Sequence, residues 1–273
     1  MQALSFVWDP AKGIDLGFFL IRYYSLMFVI AFALGWFITK KIFKNEGQTD
    51  DKLDSLFIYV VLATLIGARL GHVIFYQPEL FKEDFLSVFL PFRTVPEFQF
   101  TGFQGLASHG AAISIPIAMY FYSKKVIKKP ILWVLDRIVI AVASGAVFIR
   151  IGNFINSEII GKATNSDFGV IFKQLGEDFP RHPAQLYESF CYIFMFTALY
   201  YIYWKTNKSK QMGYLLGAFL VMLWTIRFFV EFLKEAQVAE RAEWALNTGQ
   251  LLSIPFIIIG IYLMVTSKNR MVE

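Results

Sequence analysis

Seven apolar stretches dominate this chain, at roughly residues 18–39, 54–76, 107–123, 131–154, 186–204, 212–232 and 249–267. Each approaches the length a helix needs to cross about 30 Å of hydrocarbon. A backbone inside hydrocarbon must satisfy its own N–H and C=O groups, so only helices and closed barrels can span. These runs lack the alternation of barrel strands. The expected fold is therefore an all-α integral membrane protein, a bundle of about seven transmembrane helices. Composition agrees. Of 273 residues, 56% are hydrophobic and 17% are charged, whereas a soluble domain carries about 25% charge. No Pro/Ser-rich linker, low-complexity tract or internal repeat divides the chain, so residues 1–273 are expected to form a single domain. The N-terminus lacks a basic segment ahead of its first apolar run. No cleavable signal peptide is expected, and Phe18 onward reads as a retained span.

Basic residues choose the orientation. The loops after the first, third and fifth stretches hold Lys40, Lys41 and Lys44, then Lys124, Lys125, Lys128 and Lys129, then Lys205, Lys208 and Lys210. The tail holds Lys268 and Arg270. With seven spans all four places lie on one side. The opposite loops are more acidic, with Glu79, Glu83, Asp84 and Glu97 in one and Asp167, Glu177 and Asp178 in another. The positive-inside rule then puts the N-terminus outside and the C-terminus in the cytoplasm. The net charge of +5 is thus a topology signal, and no nucleic-acid partner is expected.

Cys191 is the one cysteine, which excludes an intramolecular disulfide and a cysteine-based metal site. In an apolar run it reads as a small packed hydrophobe. No HExxH, no His/Asp/Glu cluster at metal spacing and no phosphate-cradling glycine loop occurs. No metal, nucleotide or other cofactor is expected.

The polar residues inside the spans carry the functional signal. The run Phe148–Gly161 reads FIRIGNFINSEIIG. Arg150, Asn153, Asn156 and Glu158 recur at about three-residue spacing, which a helix would gather on one side. In the expected orientation Arg22, Tyr23 and Tyr24 lie near the outer end of span one, and Arg69 in the outer half of span two. His109 begins span three among small residues. Arg227 and Glu231 lie near the outer end of span six. An arginine at mid-membrane costs about 2.5–3.5 kcal/mol on insertion scales, a cost that helix packing must offset. An anionic ligand explains the excess of guanidinium, whose fork suits phosphate bidentately. Local readings stand beside this one. Arg22 can snorkel to head groups, Arg69 can pair with a carboxylate, and Arg227 with Glu231 has the i, i+4 spacing of an ion pair. His109 can be a structural histidine. Asp136 and Arg137, near the inner end of span four, read as interfacial or structural.

A second polar block, PRHPAQLYE at Pro180–Glu188, opens span five. Arg181, His182, Gln185, Tyr187 and Glu188 can clamp helix ends there or touch a substrate.

These motifs together resemble the prolipoprotein diacylglyceryl transferase family. The family signature, approximately G-R-x-G-N-F-I-N-G-E-x-x-G, is similar to the run from Arg150 to Gly161, with Ser157 in place of its second glycine. RHPxQLYE matches Arg181–Glu188, and R-x-x-x-E matches Arg227 and Glu231. His109-Gly110 matches the histidine motif, where His-Gly-Gly becomes His109-Gly110-Ala111. G-Q-x-L-S-I-P matches Gly249–Pro255, and G-x-R-x-G with a downstream F-Y matches Gly67, Arg69, Gly71, Phe75 and Tyr76. Leu223 stands where some relatives carry tyrosine.

The resemblance implies a single catalytic domain in the bacterial inner membrane, with a periplasmic N-terminus and a site toward the periplasmic side. It implies transfer of a diacylglyceryl group from phosphatidylglycerol to the lipobox cysteine thiol of preprolipoprotein signal peptides. The product is a thioether, and glycerol phosphate leaves; this is the first step of lipoprotein maturation. His109, Arg150 and Arg227 are the catalytic candidates. Tyr24, Arg69, Asn153, Asn156, Glu158, Gly161 and Glu231 are candidates for substrate binding, and Arg181, His182, Gln185, Tyr187 and Glu188 for support of the site. A transporter or flippase would use the same charges to line an alternating-access path, but the charges gather toward one face and no inverted repeat is evident. A seven-span receptor fits the span count alone.

Overall fold

The computed structural model describes residues 5–17, 20–90, 92–100, 105–164, 168–235 and 246–271. Phe18 and Phe19 at the start of the first expected span, and Asp167 of the acidic loop, lie outside them. The long helices are α1 (Tyr23–Asn45), α2 (Asp50–Tyr76), α5 (Ser108–Tyr122), α6 (Ile131–Ile155), α7 (Ala184–Lys205), α8 (Tyr214–Val230) and α9 (Thr248–Thr266). The short helices α3 (Leu80–Glu83) and α4 (Phe85–Phe89) fall between α2 and α5.

Among the described residues five helical segments are long and apolar enough to cross a membrane: Tyr23–Asn45, Asp50–Tyr76, Ile131–Ile155, Tyr214–Leu233 and Thr248–Asn269. The other two expected spans are helical but differ in kind. α5 has 15 residues, about 22 Å at 1.5 Å per residue, and gains length only through the wider turn Ser123–Ile127. α7 has 22 residues but carries Gln185, Glu188 and five tyrosines. The expected first span also starts late. Leu20–Arg22 is a strand, and Arg22 pairs with Gly13 rather than beginning a helix.

The chain forms two compact units, Met1–Lys41 with Leu135–Glu273, and Ile42–Val134. In the first, α8 and α9 touch backbone to backbone. A Cβ on Gly217 would stand 2.6 Å from the Gly260 carbonyl oxygen, the close approach that small residues permit between membrane helices. Trp224 stacks on Phe256 at 4.4 Å beside it. Asp136 and Arg137 are structural. The buried Asp136 carboxylate accepts from the N–H groups of Gly213 at 2.6 Å and Leu216 at 2.8 Å, neutralising the N-terminus of α8. Arg137 donates to the Ser209 carbonyl at 3.3 Å. At the opposite end of α8, Asn247 and Gln250 form a capping box that starts α9. Gln250 also donates to the Phe228 carbonyl at 3.3 Å. The glutamine of the Gly249–Pro255 motif thus ties two helix ends together.

Small ladders close the end of α6. β1 (Phe6–Trp8) runs parallel to β6 (Val170–Phe172). The Trp8 indole donates to the Phe154 carbonyl at 3.1 Å and packs on its ring at 4.6 Å. Phe154, Val170 and Phe172 form a buried cluster there, which fixes the last turn of the helix that carries Arg150. β2 (Gly13–Asp15) and β3 (Leu20–Arg22) make an antiparallel pair just before α1.

In the second unit, α2 and α5 pack together, with the Ser114 hydroxyl donating to the Ala63 carbonyl at 2.6 Å. Val73, Leu80 and Val88 form a core that draws the connecting segment back along α2. The hairpin of β4 (Phe92–Arg93) and β5 (Gln99–Phe100) follows α4.

Candidate active site

Arg150 and Asn153 lie on the last turns of α6, but the helix stops at Ile155. The expected helical face therefore ends before Asn156. A turn does the gathering instead. Ser157 and Ile159 take φ of 54° and 55°, and the Glu158 N–H donates to the Asn153 carbonyl at 2.9 Å. This folds the Glu158 carboxylate back over the helix end. The Asn153 amide donates to it at 3.3 Å and the Asn156 amide at 3.2 Å. Position 157 sits in the left-handed region that glycine adopts most easily, which gives a physical reason for the glycine of the resembled signature.

Tyr24, at the start of α1, meets the same group. Its hydroxyl hydrogen-bonds the Asn153 side chain and lies in the field of Glu158 and Arg150. The ring is seated on Gly152, where a Cβ would stand 2.8 Å from Tyr24 Cδ2. Arg150 donates to Asn153 Oδ1 at 3.2 Å. Its other contact leads across to α7: Arg150 Nε lies 2.7 Å from Glu188 Oε2, an ion pair with Glu188 fully buried. Arg150 also contacts the buried Tyr192 hydroxyl.

Glu188 has a second cation. Lys234, 3% exposed, donates to Glu188 Oε1 at 2.8 Å and lies 3.3 Å from Glu231 Oε2. A buried pair of this kind is weak evidence for stability, but removing one member leaves an uncompensated charge at a cost of about 3–5 kcal/mol. Glu231 fits because position 249 has no side chain; a Cβ on Gly249 would stand 2.6 Å from its carboxyl carbon.

Arg227 does not make the local i, i+4 pair that its spacing allows. Among the described residues it forms no ion pair with Glu231, which turns to Lys234. The guanidinium lies over the Trp224 ring at 5.1 Å. Its Nε is buried without a hydrogen-bond partner among the described residues. Arg150 and Arg227 both act on the Tyr192 hydroxyl, so the two guanidinium groups share a neighbourhood.

The block before α7 builds a brace. Arg181 meets both oxygens of Glu177, at 2.6 and 2.7 Å, as well as Glu235 at 2.6 Å and the Gly161 carbonyl at 3.1 Å. The hydrogen bonds to Glu177 hold its guanidinium above the ordinary arginine range. His182 Nδ1 is 3.3 Å from the Tyr187 hydroxyl, and the Gln185 amide donates to the Glu158 carbonyl. Gly161 is where two backbones approach. Its N–H donates to the His182 carbonyl at 3.1 Å, and a Cβ there would stand 2.7 Å from His182 Cβ and 2.9 Å from the Leu233 carbonyl.

Two candidates belong to the other unit. Arg69 donates to the carbonyls of Ser87 at 2.7 Å, Val88 at 3.2 Å and Gly105 at 3.4 Å, anchoring the segment after α2. His109 is exposed at the second position of α5. It packs edge-on against Phe75 at 5.0 Å. With His72, Tyr76, Leu106 and Ala107 it lines an open groove of about 350 Å³.

Sequence reasoning missed Lys234, Tyr192 and His72. Lys234 had a local signal, three residues after Glu231. Tyr192 and His72 had none that separates them from the other aromatic residues of their helices.

The family profile described as prolipoprotein diacylglyceryl transferase matches residues 12–266. Proteins named phosphatidylglycerol–prolipoprotein diacylglyceryl transferase align over nearly the whole chain. The one from Bacteroides fragilis is 40% identical over 264 residues, 96% of this chain and 95% of its own. The one from Chloroherpeton thalassium is 38% identical over 272 residues, 99% and 97%. The one from Tolumonas auensis is 37% identical over 262 residues, 96% of each. Matches of this extent, on a chain in which Arg150, Glu188, Lys234 and Glu231 form one buried ionic network, place it in the prolipoprotein diacylglyceryl transferase family.

Proposed function

We propose that this chain transfers the diacylglyceryl group of phosphatidylglycerol to the lipobox cysteine thiol of preprolipoprotein signal peptides, as the names of its relatives suggest. The single observation that carries the reading is Arg227, a half-buried guanidinium beside the Arg150 network whose Nε has no hydrogen-bond partner among the described residues. A guanidinium placed this way suits an anion of phosphate chemistry.

In this reading the acceptor sulfur attacks the glyceryl carbon that bears the phosphate ester. A carbon–sulfur bond forms and the carbon–oxygen bond breaks. Glycerol phosphate departs with the bonding electrons. Arg150 and Arg227 stabilise the charge that builds on the leaving phosphate. Asn153, Asn156, Glu158 and Tyr24 hold the head group and orient Arg150. Glu231 orients the cations, and Arg69 and Gly161 shape the surrounding chain. A free thiol, with pKa about 8.5, is only a few per cent thiolate at neutral pH. His109 takes the thiol proton as general base, from an exposed position in an aromatic groove that suits a peptide side chain. Arg181, His182, Gln185, Tyr187 and Glu188 support the site.

The placement follows from charge. Seven spans in one domain, with the N-terminus periplasmic and the C-terminus cytoplasmic, put every lysine-rich loop inside. The site then faces the periplasmic side of the inner membrane, where an outer-leaflet lipid and the cysteine of a signal peptide both lie. The test is to incubate the purified protein with labelled phosphatidylglycerol and a lipobox peptide. Thioether formation supports the reading; lipid movement with no covalent product would replace it with transport.

A further inference from the structure

We propose that Lys234 is a positioning residue that keeps Arg227 free for the lipid phosphate; this rests on the transferase reading above. The argument is one of charge. Two carboxylates of the cluster are buried, Glu188 and Glu231; Glu158 is exposed and turned to the Asn153 and Asn156 amides. Arg150, Lys234 and Arg227 supply three positive charges. Arg150 and Lys234 between them occupy both carboxylates, Arg150 through Glu188 at 2.7 Å and Lys234 through Glu188 at 2.8 Å and Glu231 at 3.3 Å. Among the described buried groups the uncompensated positive charge therefore resides on Arg227, whose Nε has no hydrogen-bond partner among them.

Without Lys234 the balance is two against two. Arg227 precedes Glu231 by four residues, the spacing at which opposite charges on a helix pair. A carboxylate left alone in a buried site is costly, so Glu231 would recruit Arg227 and the cluster would close on itself as a neutral set. The sequence spacing invites that pair; the structure withholds it by turning Glu231 to the lysine. Lys234 needs no contact with the lipid for this role. It sits just beyond α8 with 3% exposure, and its ammonium faces two carboxylates.

The experiment compares Lys234→Met, Lys234→Arg and the double variant K234M/E231Q with the parent protein in nanodiscs. Steady-state transfer and binding of phosphatidylglycerol against phosphatidylcholine are both measured. Lys234→Met should raise the KM for phosphatidylglycerol about tenfold while kcat changes less than about threefold, the signature of lost ground-state binding. Lys234→Arg should restore most of the parent KM. The double variant removes the matching negative charge and should recover preference for phosphatidylglycerol over the neutral lipid, even if turnover stays low. An unchanged KM in Lys234→Met, a fall in kcat alone, or a double variant that binds no better than the single one would each overturn the proposal. If Lys234→Met does not accumulate in the membrane, lipid preference of the double variant decides the matter by the same criterion. A parent protein that forms no thioether overturns the transferase reading instead, and the binding comparison still tests Lys234.

Discussion

Arg150 on α6 and Glu188 on α7 meet at 2.7 Å with the carboxylate wholly enclosed. The pair joins the signature run to the RHPAQLYE block in one cluster. Glu188 also receives Lys234 at 2.8 Å, so this carboxylate is the hub of the cluster.

Replacing the hub should therefore hurt the fold as well as the chemistry. Glu188→Ala leaves two buried cations facing each other. A loss of about 3–5 kcal/mol is expected, read as a lower unfolding temperature in detergent. Arg150→Ala should abolish transfer while the protein still inserts. Near-normal turnover in Arg150→Ala would remove the phosphate clamp.

Gly152 is the seat of the Tyr24 ring, and the contact leaves no room for a methyl group. Gly152→Ala should displace the ring and break the link from the Tyr24 hydroxyl to Asn153. Overpacking of this kind costs about 1–3 kcal/mol. Tyr24→Phe should lose transfer without that structural cost. The check is paired activity and thermal melts; equal stability of Gly152→Ala and the parent would show that the ring has another place to go.

His109 should matter for thiol activation more than for lipid binding. His109→Ala is expected to slow transfer about 10²- to 10⁴-fold with phosphatidylglycerol affinity unchanged. Activity that merely follows the amount of folded protein would make the residue structural. His72→Ala, altering the same groove, should change peptide KM more than lipid KM.

Asp84 gives a pH dependence outside the spans. The Thr94 hydroxyl and amide both donate to its carboxylate at 2.6 Å, and these bonds hold its pKa below the ordinary value of 3.8. A depressed carboxylate contributes stability that is full above its unfolded pKa and fades as pH falls toward the folded one. The difference in melting temperature between the parent and Asp84→Asn should be constant above about pH 5 and shrink below about pH 4. A difference that does not change with pH would assign the effect to packing.

Much of the architecture was legible in the residue order. Hydrocarbon demands long apolar helices, so α2, α6, α8 and α9 could be bounded to within a few residues. The cost of charge in such segments marked Arg150, Asn153, Arg227 and Glu231. Local spacing misled where tertiary contacts compete. Asn156 and Glu158 looked like further turns of α6, but two left-handed residues end the helix and fold the carboxylate back. Arg227 and Glu231 have the spacing of an ion pair, but Glu231 turns to Lys234 instead.

The sequence by itself determined the long apolar helices and the kinds of polar group they carry, because hydropathy and charge are properties of single residues and short windows. Tertiary structure alone decided the partners. Glu188 and Lys234 are 46 residues apart along the chain, and which cation a buried carboxylate chooses depends on distances that only packed helices set.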